Sequence, residues 1–156
     1  MDLLIKLYDL PPAAPLLDEL AKEGVVIRRA MSYEQRKIVR WVEDNFNTRW
    51  ADEVAAGFGH IPVGCYLAVQ DHSISGFCCL NTTFRNFIGP IGVMEKVRRR
   101  GVGRGLLIAA LNDLRSSGYA YAIVGDAGQP GFFKTAAGAF EIPDSSPGPY
   151  PAGIGK

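Results

Sequence analysis

Between Phe87 and Gly125 the apolar pattern of this 156-residue chain changes twice, and no other stretch restricts the fold as much. FIGPIGV (87–93) reads as a strand, with Pro90 limiting its ladder on one side. Gly103, Leu106, Leu107, Ala110, Leu111 and Leu114 then recur at helical spacing, and Gly118 stands where a helix C-cap belongs. YAYAIVG (119–125) follows, an almost wholly apolar run of the kind expected for a strand covered on both faces. A strand, a helix and a strand in immediate succession form a crossover, which lays the two strands parallel and puts the helix against one face of their sheet.

The rest of the chain is arranged around that unit. Pro11, Pro12 and Pro15 forbid one continuous helix over residues 1–24, an N-terminal extension in which LLDELAKEG (16–24) forms a short helix ended by Gly24. Val25 to Ile27 reads as the first strand. Ser32 opens the next helix, with Gln35 completing a capping box, and Ile38, Val39, Val42 and Phe46 give it one apolar face. A second helix follows Thr48, with Trp50, Val54 and Phe58 on its buried side. CYLAVQ (65–70) and ISGFCCLNTT (74–83), separated by Asp71-His72-Ser73, predict an antiparallel hairpin. Phe132 to Ala137 forms a short helix, and AFEIP begins a last strand before a Pro/Gly-rich tail. The fold class is therefore mixed α/β, of the α+β kind: a mostly antiparallel, twisted sheet of six to seven strands flanked by helices, in one domain over residues 1–156.

The crossover is joined by a basic loop, and the composition decides how to read it. Lys plus Arg is 17 against 16 Asp plus Glu, so the chain lacks the positive excess of a general nucleic-acid or acidic-membrane binder. Any anion binding must be local. No apolar run is long enough for a membrane span, and MDLLIKLYDLPP is too short and too acidic for a secretory signal. Cys65, Cys78 and Cys79 lie in strand-like apolar context and read as buried thiols, which suits a reducing cytoplasm. No group of His, Cys and carboxylates has metal-ligand spacing.

In the loop, Arg98, Arg99 and Arg100 run into Gly101, Gly103 and Gly105, with Arg104 between the last two. A loop that feeds a helix N-terminus offers unpaired N–H groups at the positive end of the helix dipole, and these attract phosphate. Glycines let a ligand approach those amides, and the arginines add charge. A P-loop needs Lys-Ser or Lys-Thr after its last glycine, whereas Arg104-Gly105 follows Gly103. A dinucleotide fingerprint needs G-x-G-x-x-G, and the last position falls on Leu106 or Ile108.

Arg98-Arg99-Arg100-Gly101-Val102-Gly103, after a strand ending in Gly92-Val93, resembles the R/Q-x-x-G-x-G/A signature of the GNAT superfamily of acyl-CoA-dependent N-acetyltransferases. GFFKTAAGAF (131–140) is similar to the family's later F-Y-x-x-x-G-F/A segment, and the resemblance spans roughly residues 25–142. It implies the GNAT fold and transfer of an acetyl group from acetyl-CoA to a primary amine of a small molecule or a protein. It also implies that Arg98, Arg99, Arg100, Gly101, Val102, Gly103 and Arg104 hold the pyrophosphate of coenzyme A. The thioester would lie between strand 87–93, at Ile91, Gly92 and Val93, and strand 119–125, with Phe133 against the cofactor. Members of the family often carry a tyrosine where this chain has Phe133, and Phe133 donates no proton. Tyr119 and Tyr121, on the neighbouring strand, are the tyrosines at hand for that role, and Glu95 and Asp126 are the candidate bases. The alternative that Phe133 motivates is a catalytically weak acyl-CoA-binding module acting as a sensor or docking domain. The segments from Trp41 to Phe58 and from Thr82 to Asn86 would recognise the acceptor, and a strand at 138–143 is open to pairing with a second copy.

Overall fold

Asp71 and His72 both take left-handed backbone, with φ of 51° and 61°. Two such residues in succession make the tight turn that matches the twist of a hairpin. They fold β3 (Cys65–Gln70) onto β4 (Ser73–Leu80), with Gln70 opposite Ser73. The structure is a computed structural model that describes residues 1–98 and 100–155. β2 (Val25–Arg29) adds to β3 and β5 (Ile88–Val93) adds to β4, which gives a four-stranded antiparallel sheet in the order β2-β3-β4-β5. A three-stranded sheet follows in the order β6-β1-β7, made of β6 (Tyr121–Val124), β1 (Leu3–Lys6) and β7 (Phe140–Glu141). The seven strands are antiparallel within each sheet, and one parallel bridge, Phe87 to Ile123, joins the two sheets.

The helices cover both faces. α1 (Ala13–Lys22) leads into β2, and Gly24 turns the chain between them with φ of 87°. α2 (Gln35–Asn45) and α3 (Thr48–Gly57) bury Ile38, Val42, Ala51 and Val54 against Phe77 and Leu67 on one face of the four-stranded sheet. α4 (Val102–Ser116) packs on the other face and is buried on most sides, with Leu106, Leu107, Ile108, Leu111 and Leu114 fully enclosed. Each such side chain removed from water stabilises the fold by about 1.5–3 kcal/mol. α5 (Pro130–Ala137) completes that layer, with Pro130 in its first turn and Gly138 in left-handed backbone at its end. A polar clamp holds α4 to the sheet: Asp113 accepts from Tyr66 Oη at 2.8 Å and pairs with Arg29, whose guanidinium lies over the Tyr66 ring. Burial first, and then the bond to Asp113, pushes the Tyr66 phenol up to about 12.

The strand reading holds for β2 to β7, and the differences elsewhere have physical causes. Residues 1–24 are an integral part of the fold, because β1 is the middle strand of its sheet and Leu3, Ile5 and Leu7 are fully buried in the α4 core. The run LLIK is too short to show a period, and the prolines that stand out in this stretch, at 11, 12 and 15, lie beyond it. A short 3₁₀ turn, Ser32–Glu34, precedes α2, and the residue that closes the cap is Glu34, not Gln35. Its carboxylate accepts from the Met31 amide at 2.8 Å and grips Arg28 through both guanidinium nitrogens, which holds the Glu34 carboxyl below its ordinary range. Tyr121 is not covered on both faces; it stands 43% exposed at the start of β6. Cys65, Cys78 and Cys79 are buried and free, and burial pushes the Cys78 and Cys79 thiols up. Among the described residues no helix is long and apolar enough to cross a membrane.

Candidate functional site

β5 and β6 meet at one point, where Phe87, just before β5, pairs with Ile123, the third residue of β6. The Phe87–Ile123 bridge, the Ile123 amide on the Asn86 carbonyl at 3.0 Å and the Asn86 side-chain amide on the Tyr121 carbonyl at 3.0 Å close that end. Past it the strands belong to different sheets, and a wedge opens toward the C-terminal end of β5. The Met94 amide donates to the Ser75 carbonyl at 2.8 Å, and Phe77 stands opposite Gly92. Antiparallel alternation then turns the polar groups of Gly92 toward β4 and those of Ile91 and Val93 toward the wedge. Of the three residues expected on this wall, Ile91 and Val93 thus present their backbone to the opening. Gly92 serves differently, because Phe46 and Phe77 lie so close that a side chain there would collide with both rings.

The mouth of the wedge is the N-terminus of α4. Gly101 precedes the helix in left-handed backbone, φ 84°, with open space where a side chain would project. The first intrahelical bond is Gly105 N–H to the Gly101 carbonyl at 2.9 Å. No acceptor among the described residues meets the amides of Val102, Gly103 and Arg104, and no side chain caps the helix. Gly103 faces the ring edge of Phe132, 3.4 Å from the position a methyl would take, and a Val93 methyl at 3.5 Å. Gly105 has another task. Leu20 of α1 and Ile27 of β2 occupy the space its side chain would take, so its missing side chain serves the core and not a ligand. Arg98, Arg100 and Arg104 are exposed around the mouth, and the Arg98 Nε donates to the Val93 carbonyl at 3.1 Å. Arg99 lies outside the described residues.

Other expected site residues are dispersed. Glu95 is exposed at the start of a short 3₁₀ turn, one residue after β5. Asp126 lies past the end of β6, its side chain 76% exposed and its amide donating to Asp2 Oδ1 at 2.7 Å. Tyr121 stands at the closed end of the wedge, edge-on to Tyr8 at 5.7 Å, and does not meet Glu95 or Asp126. Phe133 is buried in the main core, and the residue beside the mouth is its neighbour Phe132. Spacing could not distinguish the two, because only the helix phase decides which ring turns inward. The expected acceptor segments do converge: Thr83 donates to Glu53 at 2.9 Å, and Trp41, Phe46 and Trp50 cluster on Phe77 above Gly92. Among the described residues no group of three His, Cys, Asp or Glu is placed to hold a metal ion.

Two residues near the wedge carry no motif. Asp2 is 6% exposed, and Tyr150, in the tail, donates to its Oδ1 at 3.3 Å. The only sign of Tyr150 in the sequence is an aromatic residue in a Pro/Gly-rich stretch, SSPGPYP.

The model of the acetyltransferase (GNAT) family matches residues 27–132. Among solved structures, a GCN5-related N-acetyltransferase from Sphaerobacter thermophilus superposes with a TM-score of 0.68 at 22% identity, over 89% of this chain and 47% of that one. A GCN5-related glucosamine N-acetyltransferase region of a fungal multi-domain GH3 β-N-acetylglucosaminidase superposes with a TM-score of 0.71 at 16% identity, over 87% of this chain and 19% of that one. The chain therefore spans less than half the length of either structure, and at these identities the likeness is one of fold. No curated protein matches the chain.

Proposed function

The chain belongs to the GNAT acetyltransferase family, and from that premise we propose that it transfers an acetyl group from acetyl-CoA to a primary amine of a small molecule or a protein. The observation that carries this reading is the wedge between β5 and β6, with the first amides of α4, which meet no acceptor among the described residues, at its mouth. Anionic phosphates suit those amides, the helix dipole and the charges of Arg98, Arg100 and Arg104. The backbone of Ile91 and Val93 lies along the wall where a pantetheine arm can be held by strand-like hydrogen bonds. The fit is good at each point that the described residues cover.

In the reaction the amine nitrogen, once unprotonated, attacks the thioester carbonyl, a new N–C bond forms, and the C–S bond breaks to release the thiol. Donors fixed on the β5 wall stabilise the oxygen on which charge develops. Asp126 and Glu95, exposed on either side of the opening, take the amine's proton directly or through water. The acceptor approaches over the α2–α3 face, where Trp41, Phe46 and Trp50 provide apolar surface and Glu53 and Arg49 provide charge. The three free buried thiols suit a reducing compartment, and the cytoplasm is where this reading puts the protein. β7 is the outer strand of its sheet, and through it the protein would pair with a second copy.

The test is amine-dependent release of CoA from acetyl-CoA, followed with a thiol reagent across a panel of primary amines, with the acetylated product identified by mass. Saturable release supports the reading. Acetyl-CoA binding without release for any amine would favour the second reading, a module that holds the thioester without transferring its acyl group, which the absence of a phenol at Phe133 motivates.

A further inference from the structure

We propose that Tyr150, carried to the wedge by the tail that follows β7, moves the proton between amine and thiol in acetyl transfer, the role for which Phe133 has no hydroxyl. The inference rests on the acetyltransferase reading and adds a residue to it. The tail is pinned in place: the Ile142 amide donates to the Asp2 carbonyl at 2.9 Å, and the Asp2 amide to Ser145 Oγ at 2.9 Å. From there the chain returns across β6. The Tyr150 ring packs on Phe84, centroids 6.4 Å apart, and its hydroxyl sits so close to Gly125 that a methyl group on that glycine would overlap it.

Gly125 directly follows β6, and the ring of Phe87 packs on the same point. Phe87 and Ile123 form the bridge after which the strands part, so the hydroxyl stands where the wedge begins to open. The face also matters. Ala122 and Val124 are buried in the α4 core, and strand alternation turns Gly125 and the hydroxyl beside it to the opposite side, shared with α2, α3 and the acceptor segments. The phosphate-binding mouth belongs to α4, so cofactor and proton carrier approach the gap from different faces.

The hydroxyl has the properties the role needs. Burial first, and then the carboxylates of Asp2 and Asp126 against the opposing charge of Arg49, pushes it up to about 12, so it remains protonated across the working range. Its bond to Asp2 is long at 3.3 Å and is readily exchanged for a bond to substrate. The step balances without a further reactant. As the C–S bond breaks, Tyr150 gives its proton to the leaving sulfur; the phenolate then takes the proton that the nitrogen sheds after forming the N–C bond.

The experiment uses the full chain, acetyl-CoA and hydroxylamine, a small amine that is unprotonated at neutral pH. Tyr150→Phe keeps the ring on Phe84 and should leave acetyl-CoA binding and KM as in the wild type while lowering kcat by about 100-fold or more. The wild-type kcat should fall as pH climbs past the ordinary tyrosine range, and the variant should lose that limb. A Tyr150→Phe variant with wild-type kcat overturns the proton transfer and leaves the acetyltransferase reading standing. Wild-type protein that binds acetyl-CoA yet releases no CoA to hydroxylamine also overturns it. Failure to bind acetyl-CoA at all removes the functional reading first.

Discussion

The mouth of the wedge and its closed end are built in opposite ways. The mouth is made from residues close together in sequence, 93–98 and 100–104, at the end of a strand and the start of the helix that follows it. The closed end is assembled from Asp2, Phe87, Gly125 and Tyr150, and the hydrogen bond from Tyr150 to Asp2 joins residues 148 positions apart. A contiguous site depends on local backbone geometry, which residue types dictate. A dispersed one depends on the complete topology, so no local pattern announces it.

Changes at the two ends should therefore have different effects. The largest should come from Gly103→Glu, which puts a negative charge beside the first amides of α4 and removes acetyl-CoA binding. The stabilisation of about 2.7 kcal/mol expected at a hundredfold excess over Kd should vanish, as read by thermal unfolding. Retained stabilisation would break the assignment of the mouth. Next in size, Ile5→Ala should cost about 2–5 kcal/mol by denaturant unfolding, because Ile5 is fully enclosed in the α4 core. A cost near zero would return residues 1–24 to the status of an appendage.

Neighbouring glycines sharpen the contrast further. Gly105→Ala forces a methyl against Leu20 and Ile27 and should cost about 1–3 kcal/mol, with acetyl-CoA affinity kept in the protein that remains folded. Gly103→Ala meets only ordinary contacts and should change stability by less than about 1 kcal/mol. Equal costs would mean that the two glycines do not divide ligand approach and core packing between them. The smallest effect is on alkaline stability. The native Tyr66 phenol holds its proton up to about 12 against an ordinary value of 10.0, so its contribution is complete below pH 10 and is lost as pH rises toward 12. Melting temperature followed through that window should fall more steeply in the wild type than in Tyr66→Phe.

The same division explains what could be read from the amino acids. The crossover from β5 through α4 to β6 was legible because leucine spacing, Gly101 and the apolar run of β6 each obey a local rule. The hairpin of β3 and β4 was legible because Asp71 and His72 accept left-handed backbone. β1 was not, since four residues carry no period and their partners, β6 and β7, lie more than a hundred positions away. Gly105 looked like part of a phosphate cradle because composition cannot say which of three glycines meets Leu20. Phe133 and Phe132 exchanged places for a comparable reason, since the phase of a short helix is fixed by what it packs on. Tyr121 was sought at the opening because it lies on the strand beside it, yet it is at the strand's closed end.

The central claim is that the wedge at the N-terminus of α4 binds acetyl-CoA, and calorimetric titration of acetyl-CoA into the wild type and into Gly103→Glu tests it most directly. Saturable one-to-one binding to the wild type and none to the variant is the expected result, with both proteins folded. Equal binding by the two proteins, or none by the wild type, would contradict it.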